Sequence, residues 1–76
     1  MGWKWTDHFK LQMIERSITE HQITSVLDEP DAIIRGDESR TIYQKLIGGK
    51  LLRVITENDA LITACFTGKI EKYTGD

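Results

Sequence analysis

His8, Gln12, Glu15 and Arg16 have the residue types and spacing from which a reaction site can be built. At about 100° per residue, an α-helix gathers all four within an arc of about 100°. An imidazole, a carboxylate and a guanidinium on one stripe supply groups that exchange protons and a clamp for phosphate or another anion. The same stripe also describes a solvated helix face, with Gln12 and Arg16 one turn apart. Arg53 is a second candidate, a charge set among Leu51, Leu52, Val54 and Ile55. Buried there, it needs a partner; at a sheet margin its stem covers apolar surface while its head reaches water. Tyr43, Lys45, Lys69 and Lys72 suit contacts to a phosphate backbone, and equally suit ordinary solvated surface.

Other chemistries have less support. Cys65 is the single cysteine, so neither an internal disulfide nor a cysteine-rich zinc site is available, and its apolar neighbours Ile62 to Phe66 mark it as a small core residue. His8 and His21 lack the spacing of metal ligands. No metal or cofactor is expected. Trp3 and Trp5 alternate ahead of the first helical pattern, and are read as an extended arm packed on the domain or on a partner.

The elements that position these groups change character once, at Pro30. Before it the apolar spacing is helical. A first helix opens at Thr6 or Asp7 and runs to about Arg16, carrying Phe9, Leu11, Met13 and Ile14. Those apolar residues fall on both flanks of the polar stripe, which predicts that both flanks are partly covered and that the stripe lies in a groove. A second helix is marked by the capping-box pair Thr19 and Gln22 and by the staple positions Ile18 and Ile23, and ends near Asp28.

After Pro30 the spacing alternates. Ala32 to Arg35 reads as a short strand, Gly36 to Ser39 as a polar turn, and Thr41 to Ile47 as a second strand. Gly48-Gly49 is a two-residue hairpin signal, because glycine accepts the positive φ of a primed turn. Pairing Ile47 with Lys50 across it sets Gln44 opposite Arg53, Lys45 opposite Leu52 and Tyr43 opposite Val54. Arg53 then shares a face with Ile42, Gln44 and Leu46, and not with Tyr43 and Lys45. Asn58-Asp59 turns the chain into a return strand over Leu61 to Phe66, and the segment from Gly68 to Tyr73 reads as a short strand or turn. The fold expected is α+β, with two N-terminal helices packed on a three- to four-stranded antiparallel meander.

Length and composition bound the possibilities. Seventy-six residues, 39% hydrophobic and 29% charged with one proline, make one small globular domain: an arm over 1–6, a helical part over 7–28 and a sheet part over 32–73. A multidomain enzyme is excluded. No apolar run approaches the roughly 20 residues of a membrane span, and the expected compartment is the cytoplasm. The formal net charge of -2 separates into -4 over residues 1–38 and +2 over 39–76, which allows a cationic surface in the second half and is equally what random segregation gives.

The string His8, Met13-Ile14-Glu15-Arg16-Ser17-Ile18-Thr19, Ile23, Val26-Leu27 and Pro30 resembles the bacterial family catalogued as domain of unknown function 4258. Ile42-Tyr43-Gln44-Lys45, Leu51-Leu52-Arg53-Val54, Thr63-Ala64 and Lys69-Ile70-Glu71-Lys72-Tyr73 extend the resemblance from His8 to Tyr73. Ser17 stands where the family commonly has glycine. The plan of two helices and a meander is similar to the small ribonuclease toxins of the RelE and BrnT type. That resemblance implies an RNA substrate, a protein inhibitor (antitoxin) as partner, and a bacterial toxin-antitoxin setting. By position, His8 or Glu15 would exchange protons and Arg16, Lys45 and Arg53 would neutralise phosphate charge, with Tyr43, Lys69 and Lys72 along the RNA. The alternative is a non-catalytic interaction module using Trp3, Trp5 and an uncovered sheet edge, or a homodimer that enlarges a small core.

Overall fold

The structure is a computed structural model and describes residues 2–67. Helix α1 (Asp7–Glu15) and helix α2 (Glu20–Asp28) precede strands β1 (Ala32–Arg35), β2 (Arg40–Ile47), β3 (Lys50–Glu57) and β4 (Ala60–Thr67). The strands form one antiparallel sheet in the order β1-β2-β3-β4, an α+β arrangement. Among the described residues no helix is long and apolar enough to cross a membrane. The segment after Thr67, with Lys69 and Lys72, lies outside the described residues.

Both helix starts follow from side-chain oxygens. Thr6 accepts from the Phe9 N–H, and Thr19 and Gln22 close a reciprocal capping box. Ile18 and Ile23, the staple pair, are both buried. The end of α1 is as specific. The Ile18 N–H donates to Met13 C=O at 2.8 Å and the Ser17 N–H to Ile14 C=O at 3.3 Å, the two bonds of a Schellman turn. Its accompanying apolar contact is the buried pair Met13 and Ile18. The turn needs a left-handed residue after the cap, and Ser17 supplies it at φ 56°. A serine there carries Cβ strain of about 1–2 kcal/mol that glycine lacks, partly offset by glycine's greater freedom in the unfolded chain. Ser17→Gly is therefore expected to stabilise the fold by about 0.5–1 kcal/mol, read as a Tm raised by a few degrees.

Gly48 and Gly49, at φ 58° and 82°, make the primed turn between β2 and β3. The resulting register pairs Gln44 with Arg53, Lys45 with Leu52, Tyr43 with Val54 and Ile47 with Lys50. One face of the sheet therefore carries Tyr43, Lys45, Leu52, Val54, Ala64 and Phe66 toward the helices. Phe9, Met13, Ile23, Val26 and Leu27 meet it there to form the core. The second face carries Ile42, Gln44, Leu46, Leu51, Arg53, Ile55, Thr63 and Cys65. Cys65 is thus half-buried on the face away from the helical core, which corrects its reading as a core residue.

The pre-helical arm packs on the domain. Trp3 stands edge-on to Tyr43 with ring centroids 5.5 Å apart, and Trp5 edge-on to Phe9 at 5.9 Å. Between them the Lys4 N–H donates to Asp59 C=O, and the Leu61 N–H donates to Lys4 C=O, a parallel bridge on the outer side of β4. The arm thereby covers the start of a sheet edge that would otherwise present bare backbone groups.

Candidate functional site

Helix α1 lies against β4, and one seam between them collects the polar stripe. Phe9 and Met13 are its only buried residues and point to the sheet, so their positions fix the roll of the helix. Leu11 and Ile14 are 54% and 76% exposed, so of the two flanks expected to be partly covered this one has Leu11 about half covered and Ile14 mostly open to solvent. The covered flank is the one with Phe9 and Met13. Gln12 and Arg16 adjoin it, at the margin where α1 meets the edge of β4, and His8 and Glu15 follow on the solvent side.

A continuous chain of hydrogen bonds runs along this seam. Gln12 Nε2 stands 2.6 Å from His8 Nε2, while Gln12 Oε1 accepts from Arg16 Nη1 at 3.1 Å and from Thr63 Oγ1 at 2.5 Å. Arg16 Nη1 also donates to Thr63 Oγ1 at 3.1 Å and to Ala64 C=O at 2.7 Å. One amide therefore separates the imidazole from the guanidinium. The bond to Ala64 C=O gives Arg16 a structural task too, since it occupies an edge carbonyl of β4 beyond the part covered by Lys4. His8 and Arg16 are exposed and Gln12 is half-buried, so the assembly is reachable from solvent yet rooted in the sheet.

The remaining candidates are distributed around this assembly. Glu15 is exposed on α1, seven residues from His8, which separates their Cα atoms by about 10 Å along the axis. Arg53 is half-buried on the second face of the sheet, directly opposite Cys65. Thr63 shares that face one strand over, paired with Ile55, so Arg53 and Thr63 are diagonal neighbours. Through Thr63 the α1 seam and Arg53 border one another.

Lys45 and Tyr43 lie on the opposite, helix-facing side of the sheet. The Lys45 ammonium donates to Glu29 C=O at 2.7 Å, occupying a carbonyl at the C-terminus of α2. Tyr43 is half-buried against Trp3 and the core. Neither is brought to the seam that holds His8 and Arg16. His21 is exposed in the first turn of α2. Among the described residues no group of three or more His, Cys, Asp or Glu side chains could hold a metal ion.

Thr63 is the participant that the sequence alone does not single out. A threonine in an alternating strand is ordinary, and its partners lie 51 residues away on α1, at Gln12, and 47 away at the helix's C-cap, Arg16.

A family model for the domain of unknown function DUF4258 matches residues 5–66. The chain belongs to that family. The matched span contains His8, Gln12, Arg16, Arg53 and Thr63, starts three residues before His8 and stops short of Lys69 and Lys72. No curated protein and no solved structure matches the chain.

Proposed function

We propose that this protein is a small RNA-cleaving domain of the toxin type, restrained by a protein inhibitor, with the α1–β4 seam as its reaction site. One observation carries the reading: an exposed imidazole and an exposed guanidinium are coupled through a single amide on a helix anchored to the sheet. It supplies one proton-exchanging group and one cation toward the self-cleavage of RNA, which needs a second proton-exchanging group as well. The ribose 2'-hydroxyl loses its proton and its oxygen bonds to the adjacent phosphorus. The bond from phosphorus to the 5'-oxygen breaks, and that oxygen takes up a proton. The products are a 2',3'-cyclic phosphate and a free 5'-hydroxyl.

His8 exchanges one of these protons, and Glu15, farther along the same helix, is the candidate for the other. Arg16 offers positive charge to the phosphorane-like transition state, where charge accumulates on the non-bridging oxygens. Its described bonds all use Nη1, one of three guanidinium nitrogens. Arg53 adds charge across Thr63, and Lys69 and Lys72 would extend contacts along the RNA. Lys45 and Tyr43 support the fold from the other face, and in this proposal they do not touch RNA.

The test is growth and bulk RNA integrity after induction in bacteria, for the wild-type chain and for His8→Ala. His8 is exposed and packs on nothing in the core, so its truncation leaves folding intact. Arrested growth with fragmented RNA, relieved by His8→Ala, is the expected result.

A second reading, a non-catalytic interaction module, is favoured by Ile14, which stands 76% exposed beside a groove of about 440 Å³ lined by Trp5, Lys10, Met13, Ile18 and Glu20. Undisturbed growth and intact RNA, with the wild-type chain well expressed, would move the assignment to that module. Of the arm tryptophans, Trp5 lines that groove while half-buried against Phe9, and Trp3 lies apart from it, half-buried against Tyr43.

A further inference from the structure

The hydrogen bonds around Gln12 fix more than the position of His8. A primary amide has one accepting oxygen and one donating nitrogen, and which end is which follows from its partners. Arg16 carries no acceptor, so the Gln12 atom facing it at 3.1 Å must be oxygen. Thr63 Oγ1 accepts from Arg16 Nη1 and donates its own proton to the same Gln12 oxygen at 2.5 Å. Arg16 itself is held in place by Ala64 C=O at 2.7 Å. The amide therefore cannot turn over without placing its NH₂ group against a guanidinium. Its nitrogen is committed to His8, 2.6 Å from Nε2. A ring nitrogen that accepts from an NH₂ group carries no proton.

We infer that Gln12 is a positioning residue that holds the neutral His8 ring as its Nδ1–H tautomer, with Thr63 and Arg16 locking the amide. The ring then turns a donor, Nδ1–H, toward whatever binds at the seam, and its accepting nitrogen is occupied by the protein. The neutral ring in this form hydrogen-bonds a phosphate oxygen through Nδ1–H; giving a proton to the leaving oxygen requires the imidazolium, which returns to the neutral ring as it does so, and the proton-accepting task falls to another group. The inference rests on the RNA-cleaving reading for that meaning, but not for its test. The charged residues of α1 and its C-cap are Asp7, Lys10, Glu15 and Arg16, and no charged side chain of β4 is among the described bonds to the seam.

The measurement is two-dimensional NMR of the ¹⁵N-labelled full chain, correlating the imidazole nitrogens with the ring carbon protons at a pH where His8 is neutral. The His21→Gln variant removes the other histidine from the spectrum. An imidazole with no such partner favours Nε2–H, so the wild-type chain is expected to show the opposite, protonated Nδ1 and bare Nε2. Gln12→Glu places a carboxylate oxygen where the NH₂ group stood, while keeping an acceptor for Arg16 and Thr63, and is expected to invert the pattern to Nε2–H. Thr63→Val removes the hydroxyl that locks the amide, and is expected to give a mixture of the two forms. A wild-type ring already in the Nε2–H form, or one shared between tautomers, overturns the inference, as does a Gln12→Glu ring identical to wild type. These spectra contain no RNA. A chain that shows the Nδ1–H form but cleaves nothing would refute the RNA reading alone, and one that cleaves through an Nε2–H ring would refute this inference alone.

Discussion

Replacing His8 by alanine is expected to lower the rate of RNA cleavage by about 10²–10⁴-fold, the range contributed by one positioned proton-transfer group. Stability is expected to stay within about 0.5 kcal/mol of wild type, as for exposed substitutions away from special features. The asymmetry comes from where the residue sits. His8 is exposed near the start of α1, and its described side-chain bond is to Gln12. Arg16 behaves differently, because its guanidinium serves both the candidate chemistry and the Ala64 carbonyl on β4. Truncating Arg16 would mix the two effects, and for that reason His8 is the cleaner probe. Single-turnover cleavage of an oligoribonucleotide, alongside a denaturant melt of the same preparation, reads both quantities.

The second large effect belongs to Phe9, the next residue along the chain. Its side chain is fully buried, stands edge-on to Trp5 and is one of only two buried anchors of α1. Phe9→Ala removes that packing and leaves a cavity, at a cost of about 3–5 kcal/mol. For a chain of this length the whole stability is roughly 4–11 kcal/mol, so much of it would be lost. The urea midpoint is expected to fall steeply, and the seam to disperse with the helix that carries it. His8→Ala and Phe9→Ala are neighbours with opposite signatures: the first removes activity from a folded protein, the second removes the fold beneath it.

The parts of this structure that were legible in the sequence are those encoded by short-range chemistry. Thr6, Thr19 and Gln22 mark helix starts because their side chains serve backbone groups three residues away. Gly48-Gly49 marks a turn type, and the turn type dictates the register that separates Arg53 from Lys45 and Tyr43. What was not legible depends on long-range contacts. The Lys4 bridge to Asp59 and Leu61 is made by backbone atoms alone, so no side chain announces it. The register shift at Ile55/Thr56 has no glycine to mark it. The pairing of Lys45 with the end of α2, and of Thr63 with Gln12 and Arg16, exists only once helix and sheet have packed.

The site was legible to the same degree. Helical spacing alone grouped His8, Gln12, Glu15 and Arg16, because a single element arranges them. It could not say which side of the stripe meets protein. That is decided by Phe9 and Met13, which bury while Leu11 and Ile14, equally apolar, remain exposed. The choice reflects the single sheet available to cover a nine-residue helix.

Cleavage of RNA at the α1–β4 seam through the RNA's own 2'-hydroxyl, as proposed, would be written in the ends of the fragments. Purified protein would be incubated with total RNA and ribosomes from a bacterial extract, and separately with oligonucleotides of the cleaved sequence carrying a 2'-deoxy sugar at the cut. The expected result is fragments ending in 2',3'-cyclic phosphate and beginning with a 5'-hydroxyl, no cut at the deoxy position, and cleavage slowed at least about 10²-fold by His8→Ala. Intact RNA at an excess of folded protein would contradict it, as would equal cleavage at the deoxy sugar.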